Sequence, residues 1–300
     1  MRRLAVLLLV LSSFVLPIPV SASPSGFESA SGTVIKNVAY GSQPGQVLDV
    51  TTGGPNVPAV IFIHGGGWDG GSKGGFASFP AGFADLTGWV AFNIEYRTDS
   101  PQPWVDEPID VQTAVAWVKN HAATYGVDPN RIGLLGFSAG AHLALLNAYR
   151  STVDIKAVAG FSSPTGLPNL MSTQGCPYSA CSPLVVEEYA SAKAQKFGGH
   201  CHLSGCFGSP GGCTGDGCTL RWKDISPIQH VDASDPPTFL AHHSNDVVVP
   251  ASQTINLRNR LLGYGVPVET VTTAGTGMAH IWSTSDPAFA SMVEFFKTWL

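Results

Sequence analysis

Gly136-Phe137-Ser138-Ala139-Gly140, inside Asn130-Arg131-Ile132-Gly133-Leu134-Leu135-Gly136-Phe137-Ser138-Ala139-Gly140-Ala141-His142-Leu143, is the stretch on which the fold turns. Ile132 to Phe137 is a short apolar run after Asp128-Pro129-Asn130, the pattern of a buried strand entered from a turn. Ala139 to Tyr149 contains no Gly or Pro after Gly140 and reads as a helix. Ser138 therefore falls where a strand turns sharply into a helix, the setting in which a G-x-S-x-G pentapeptide carries meaning. A serine held at such a turn projects its hydroxyl above the sheet, and small neighbours let strand and helix approach. The helix start beside it offers free N–H groups and a partial positive charge to a developing oxyanion. The plainer reading is a Gly/Ser-rich turn without chemistry, and the rest of the chain must decide between them.

Working outward, the same alternation continues on both sides. Thr33 to Tyr40 and Gln46 to Thr51 read as two strands joined through Gly41-Ser42-Gln43-Pro44-Gly45. Ala59 to Ile63 is continuously apolar, as a central parallel strand would be, and runs directly into His64-Gly65-Gly66-Gly67-Trp68. A helix near Phe79 to Leu86 and a strand from Trp89 to Tyr96 follow. Val111, Ala114, Val115, Val118 and Ala122 then fall on one helical face within Ile109 to Ala122. After the pentapeptide come a strand from Ile155 to Phe161, a strand from Thr238 to His242 and a helix near Ser252 to Leu262. Val266 to Thr272 reads as the last strand and Asp286 to Leu300 as the last helix. Such alternation predicts a mostly parallel sheet covered by helices on both faces.

Between Ser162 and Ile228 the pattern dissolves into Gly, Ser, Pro and all six cysteines. So long an irregular stretch is unusual inside a compact domain, and about residues 165–225 read as an insertion over the carboxyl edge of the sheet. Cys176/Cys181, Cys201/Cys206 and Cys213/Cys218 share one C-x₄-C spacing. Six cysteines allow 15 pairings, among which the spacing suggests neighbour with neighbour. His200 and His202 flank Cys201 and leave metal binding as the competing reading, although zinc sites favour closer C-x₂-C spacing.

The N-terminus points to export. Arg2-Arg3 precede the apolar run Leu4 to Leu11, and Val20-Ser21-Ala22 offers small residues for cleavage. Ser12, Ser13, Pro17 and Pro19 interrupt the run short of the roughly 20 residues a spanning helix needs. We expect residues 1–22 to be a signal peptide and 23–300 a single domain in a secreted, disulfide-permissive setting. Charged residues make up 12% of the chain and the net charge is −5. There is no basic footprint for nucleic acid, and no membrane association is expected after cleavage.

A serine hydroxyl is a weak nucleophile until a base takes its proton, and that base needs an orienting acid. Open α/β sheets place such groups at the carboxyl ends of strands. Asp246 follows the strand ending at His242, and His280 follows the strand ending near Thr272, in Ala274-Gly275-Thr276-Gly277-Met278-Ala279-His280. The order Ser138, Asp246, His280 is the one expected for the elbow. Asp232 and Asp235 precede their strand and are weaker candidates. His243 is the alternative base; His280 is preferred because a glycine-rich loop can swing its ring over the serine. His64-Gly65-Gly66-Gly67-Trp68 supplies glycines that let backbone N–H groups converge on an oxyanion. His64 and His142 read as structural. No metal or organic cofactor is needed. Trp68, Trp104 and Trp282 could line an aromatic-accepting pocket or simply belong to the core.

Together, His64-Gly65-Gly66-Gly67-Trp68, Tyr96-Arg97, Asp128-Pro129-Asn130-Arg131-Ile132, the pentapeptide, Asp246…Val249-Pro250 and His280 resemble the α/β-hydrolase superfamily. The closest likeness is to its hormone-sensitive-lipase-like and feruloyl- and acetyl-esterase-like branch, over residues 45 to 160 and 225 to 300. The resemblance implies an α/β-hydrolase fold and a serine esterase acting on a small-molecule or polymer-linked ester. It further implies Gly66, Gly67 and Ala139 as the oxyanion N–H donors. Two departures bear on substrate choice rather than on the reaction: the cysteine-rich segment, and Thr98-Asp99 where relatives carry Leu-Ala/Ser-Pro. Kynurenine formamidases look similar at His64 to Trp68 and Gly136 to His142, which keeps an arylformamidase-like amidase as a second reading. A noncatalytic hydrolase-like binding protein is the third.

Overall fold

The computed structural model describes residues 32–150, 154–167, 222–275 and 280–300. The expected signal peptide and the six cysteines, with their proposed pairing, lie outside the described residues. Among the described residues, eight strands form one sheet: β1 Val34–Ala39, β2 Val47–Thr51, β3 Val57–Ile63, β4 Val90–Ile94, β5 Val127–Phe137, β6 Ala157–Phe161, β7 Thr238–His243 and β8 Val268–Thr273. Their spatial order is β1-β2-β4-β3-β5-β6-β7-β8. β1 and β2 form an antiparallel hairpin, and β2 also pairs antiparallel with β4. All pairings from β4 through β8 are parallel.

Among the described residues, the α-helices are α1 Ser78–Thr87, α2 Pro103–Asn120, α3 Ala139–Arg150, α4 Ser252–Gly263 and α5 Pro287–Trp299. They divide over two apolar clusters because side chains alternate along each strand. Ile61 and Ile63 of β3 point to the cluster holding Val111, Val118, Leu143 and Leu257 of α2, α3 and α4. Val60 and Phe62 point to the other, with Phe79 and Phe83 of α1 and Phe289 and Phe296 of α5. Each fully buried phenylalanine contributes about 1.5–3 kcal/mol of burial free energy.

Strand ends shift by one or two residues from the sequence reading, and two boundaries differ by more. Asp128-Pro129-Asn130 is not a turn before β5 but part of it. The pairing with β3 jumps from Val57↔Val127 to Ala59↔Ile132, so the intervening residues bulge. Asp128 accommodates the bulge by accepting from the Asn130 N–H and from Arg131. The second helix starts at Pro103 rather than Ile109, because a proline in the first helical turn lacks only an N–H that would be unpaired there. The regular apolar spacing begins only at Val111, and the prolines at 103 and 108 break the pattern before it, so periodicity could not report this opening stretch.

Candidate active site

Ser138 sits between β5 and α3 with φ +52, a left-handed conformation that is strained for any residue with a side chain. The neighbouring chain holds it there. Ser138 N–H donates to the Phe161 carbonyl of β6 at 2.8 Å, and the Ser138 carbonyl accepts from the His142 N–H at 3.0 Å. The flanking glycines are required by close approach. A Cβ on Gly136 would lie 2.2 Å from the Gly140 carbonyl oxygen, and one on Gly140 would lie 2.3 Å from the carbonyl oxygens of Ile63 and His64. Gly140→Ala should therefore force α3 away from β3 at a cost of about 1–3 kcal/mol. Thermal unfolding checks this, and an unchanged midpoint would remove the packing argument.

The structure brings Ser138, His280 and Asp246 into one line. His280 Nε2 lies 2.9 Å from Ser138 Oγ, and His280 Nδ1 donates to Asp246 Oδ2 at 2.8 Å. Asp246 stands on the loop after β7, where its Oδ1 accepts from the N–H groups of Val248 and Val249 at 2.8 and 2.9 Å. Burial acts to raise the Asp246 pKa. The His280 hydrogen bond and charge, helped by Val249 and His242, outweigh burial and hold the carboxyl below its ordinary range. Asp246 thus remains an anion that fixes which His280 nitrogen carries the proton. The other is left as an acceptor facing the serine.

His242 stands beside His243 at the strand end in the sequence, where it is the weaker rival base. It is buried, with Nε2 3.5 Å from the same Asp246 oxygen and donating to the Val249 carbonyl at 2.8 Å. Its Nδ1 lies 2.7 Å from Thr254 Oγ1. Burial lowers its pKa, so the ring is a neutral strut between the Asp246 loop and α4. Nothing in the local sequence distinguishes it from His243 next to it, because alternation along β7 alone sends the two rings to opposite faces.

His243, the alternative base, points elsewhere. Its Nε2 faces Asp286 Oδ2 at 3.1 Å, and its ring stacks on Trp282 at 3.7 Å between centroids. His243→Ala should largely preserve ester turnover while lowering the unfolding midpoint, since it removes a buried ring that stacks on Trp282 and hydrogen-bonds to Asp286. Loss of turnover matching that of a His280 variant would reverse the assignment.

His64 to Trp68 leaves β3 beside the serine. Gly66 and Gly67 take φ +133 and +63, and Trp68 itself takes +63. His64 carries the structural role its position suggested. Its Nε2 lies 2.6 Å from Glu95 Oε1, and its ring stacks on Tyr96, whose hydroxyl donates to the His64 carbonyl at 3.0 Å. Arg97 next to it locks onto buried Asp110, with Nη2 2.6 Å from Oδ1.

Ser138 and His280 open onto a cavity of about 400 Å³ whose walls include Phe76, Phe79, Phe137, Pro164, Ile281 and Trp282. Of the three tryptophans considered, Trp68 and Trp282 reach this cavity. Trp104 does not; it packs on the α2 side of the sheet. Trp282 Nε1 donates to Ser162 Oγ at 3.0 Å, tying the His280 loop to the end of β6. Among the described residues, no group of three or more His, Cys, Asp or Glu is placed to hold a metal ion. No described helix is long and apolar enough to cross a membrane.

A serine on left-handed backbone between a central strand and the next helix, at the carboxyl edge of a mostly parallel sheet, is the architecture of the α/β-hydrolases. Within that class the chain belongs to the BD-FAE family, whose model matches residues 48–179 and 216–261. It is similar to the probable carboxylic ester hydrolase LipM of Mycobacterium tuberculosis, 30% identical over 220 residues, covering 69% of this chain and 44% of LipM. It is also similar to the esterase LipC of the same organism, at 30% identity over 75% of this chain and 54% of LipC. The chain thus spans about half the length of these curated relatives. Among solved structures, a truncated carbohydrate esterase from gut microbiota superposes with a TM-score of 0.69 at 23% identity, covering 91% of this chain and 98% of its own. Esterase B of Lactobacillus rhamnosis superposes with a TM-score of 0.69 at 18% identity, over 90% and 87% of the two chains. These two likenesses concern the fold.

Proposed function

We propose that this chain is a serine carboxylic ester hydrolase working through an acyl-enzyme on Ser138. The observation that carries the reading is the unbroken line Asp246–His280–Ser138 opening onto an apolar cavity. Its chemistry follows from the atoms. His280 Nε2 takes the proton as Ser138 Oγ bonds to the ester carbonyl carbon, and Asp246 stabilises the imidazolium that forms. The oxyanion is received by the N–H groups of Gly66, Gly67 and Ala139, the last at the start of α3. Collapse expels the alcohol, which leaves with the His280 proton, and water repeats the cycle to release the acid. The names of the relatives support the ester reading.

The test is a chain-length panel of p-nitrophenyl esters beside a feruloyl ester and an aryl formamide, with Ser138→Ala as control. Ester turnover that vanishes in the control supports the proposal. Turnover of the formamide alone would move the assignment to an amidase, and no turnover of any member would leave a binding protein.

We propose also that residues 1–22 are removed on export and that the six cysteines form three disulfides within an insertion. The charged-then-apolar N-terminus and the even cysteine count support this. The family match breaks between 179 and 216, inside that stretch, which also fits an insertion. Intact mass of the exported protein, alkylated before and after reduction, is expected to show six thiols only after reduction. Six alkylated thiols without reduction would refute the bonds.

A further inference from the structure

The glycine loop has a strained end that something must hold. Trp68 keeps φ +63 although it is not glycine, and it follows directly on Gly66 and Gly67. Its indole Nε1–H donates to His142 Nδ1 at 3.1 Å, with the rings edge to face at 86°. His142 Nε2–H donates in turn to the Ile225 carbonyl at 2.7 Å. The partners settle the tautomer: indole N–H can only donate and a carbonyl can only accept, so Nδ1 is bare and Nε2 carries the proton. His142 also lies one helical turn beyond Ser138, whose carbonyl accepts from its N–H.

The far end of this chain of bonds is anchored as well. Ser226 Oγ donates to the Trp222 carbonyl at 2.6 Å and accepts from the Leu167 N–H at 3.0 Å. Ile228 N–H donates to the Thr165 carbonyl at 3.0 Å. Ile225 therefore sits on a segment fastened to the residues that follow β6.

We propose that His142 is a positioning residue, holding Trp68 and with it the Gly66 and Gly67 N–H groups in register with Ser138. This rests on the ester-hydrolase reading above. An oxyanion hole acts through donors fixed before the charge develops, so a loop free to relax loses transition-state binding while ground-state binding persists. Burial supports the arrangement by pushing the His142 pKa down to about 4, so the bare Nδ1 that Trp68 needs is present at neutral pH.

Two conservative variants separate positioning from packing. His142→Asn places an acceptor near the Nδ1 position, whereas His142→Gln places a donor near Nε2 and none at Nδ1. Kinetics on p-nitrophenyl acetate and thermal unfolding are measured for both, and for Trp68→Phe. We expect His142→Gln and Trp68→Phe to lose on the order of 10²-fold in kcat, with KM within about twofold of the parent. His142→Asn should recover most of that loss. Equal kcat for Asn and Gln, or parental kcat in Trp68→Phe, would overturn the inference, as would losses that track only the unfolding midpoint. If one His142 variant does not fold, Trp68→Phe decides. The proposed function fails separately: a Ser138→Ala protein that hydrolyses as well as the parent sinks the acyl-enzyme on Ser138, whereas a Ser138-dependent enzyme indifferent to these three variants sinks only the present inference.

Discussion

Ser138→Ala should leave the fold intact and lower ester turnover by on the order of 10⁶-fold, the scale seen when one member of a serine triad is removed. The residual rate would come from the N–H donors and from substrate binding, which the variant keeps. The fold should survive because Ser138 is held through its backbone, by the bonds to Phe161 and His142, and neither uses the hydroxyl. Its side chain contributes the single bond to His280. Alanine meets the same left-handed backbone that serine already tolerates at φ +52. Circular dichroism and a thermal scan should match the parent, while hydrolysis of p-nitrophenyl acetate disappears. Near-parental turnover in a pure sample would remove Ser138 from the mechanism and the proposed acyl-enzyme with it.

The second large effect is expected at His280. His280→Ala should cost about as much as loss of the serine, because proton removal and nucleophilic attack are one event. Asp246→Asn should cost less, roughly 10⁴-fold, since it leaves the geometry but reverses the tautomer that His280 must hold. The same substitution carries a stability signature with a defined sign. The Asp246 carboxyl is held below its ordinary range in the folded protein. Its stabilising contribution is therefore fully present above the ordinary carboxylate pKa of about 3.9 and is lost as pH falls through the depressed folded value. The difference in unfolding free energy between parent and Asp246→Asn should be largest near neutral pH and shrink in acid. Urea titrations at both ends check it, and a difference that grows in acid would contradict the pairing with His280.

The elbow, the glycine loop and the strand–helix alternation were legible in the sequence because each is local. Glycines at 136 and 140 mark where backbone must touch backbone, and unbroken apolar runs mark strands buried on both faces. That Asp246 and His280 would stand near Ser138 was legible for a related reason: groups after the strands of such sheets gather at the carboxyl edge, so residues following β7 and β8 were reachable by chain order. The proline-interrupted opening of α2 and the bulge in β5 were not, because neither shows in the apolar spacing on which the reading relied.

What the sequence determined by itself was thus the class of sheet, the strand-to-helix setting of Ser138 and the candidates for its partners. Which histidine reaches Ser138 was decided only in three dimensions. His243 is turned onto Trp282 and Asp286, while His242 on the opposite face of β7 braces Asp246. The link from Trp68 through His142 to Ile225 was equally invisible, joining positions 74 and 83 residues apart. Hydrogen-bond partners at that separation follow from how the layers pack, and no local pattern encodes them.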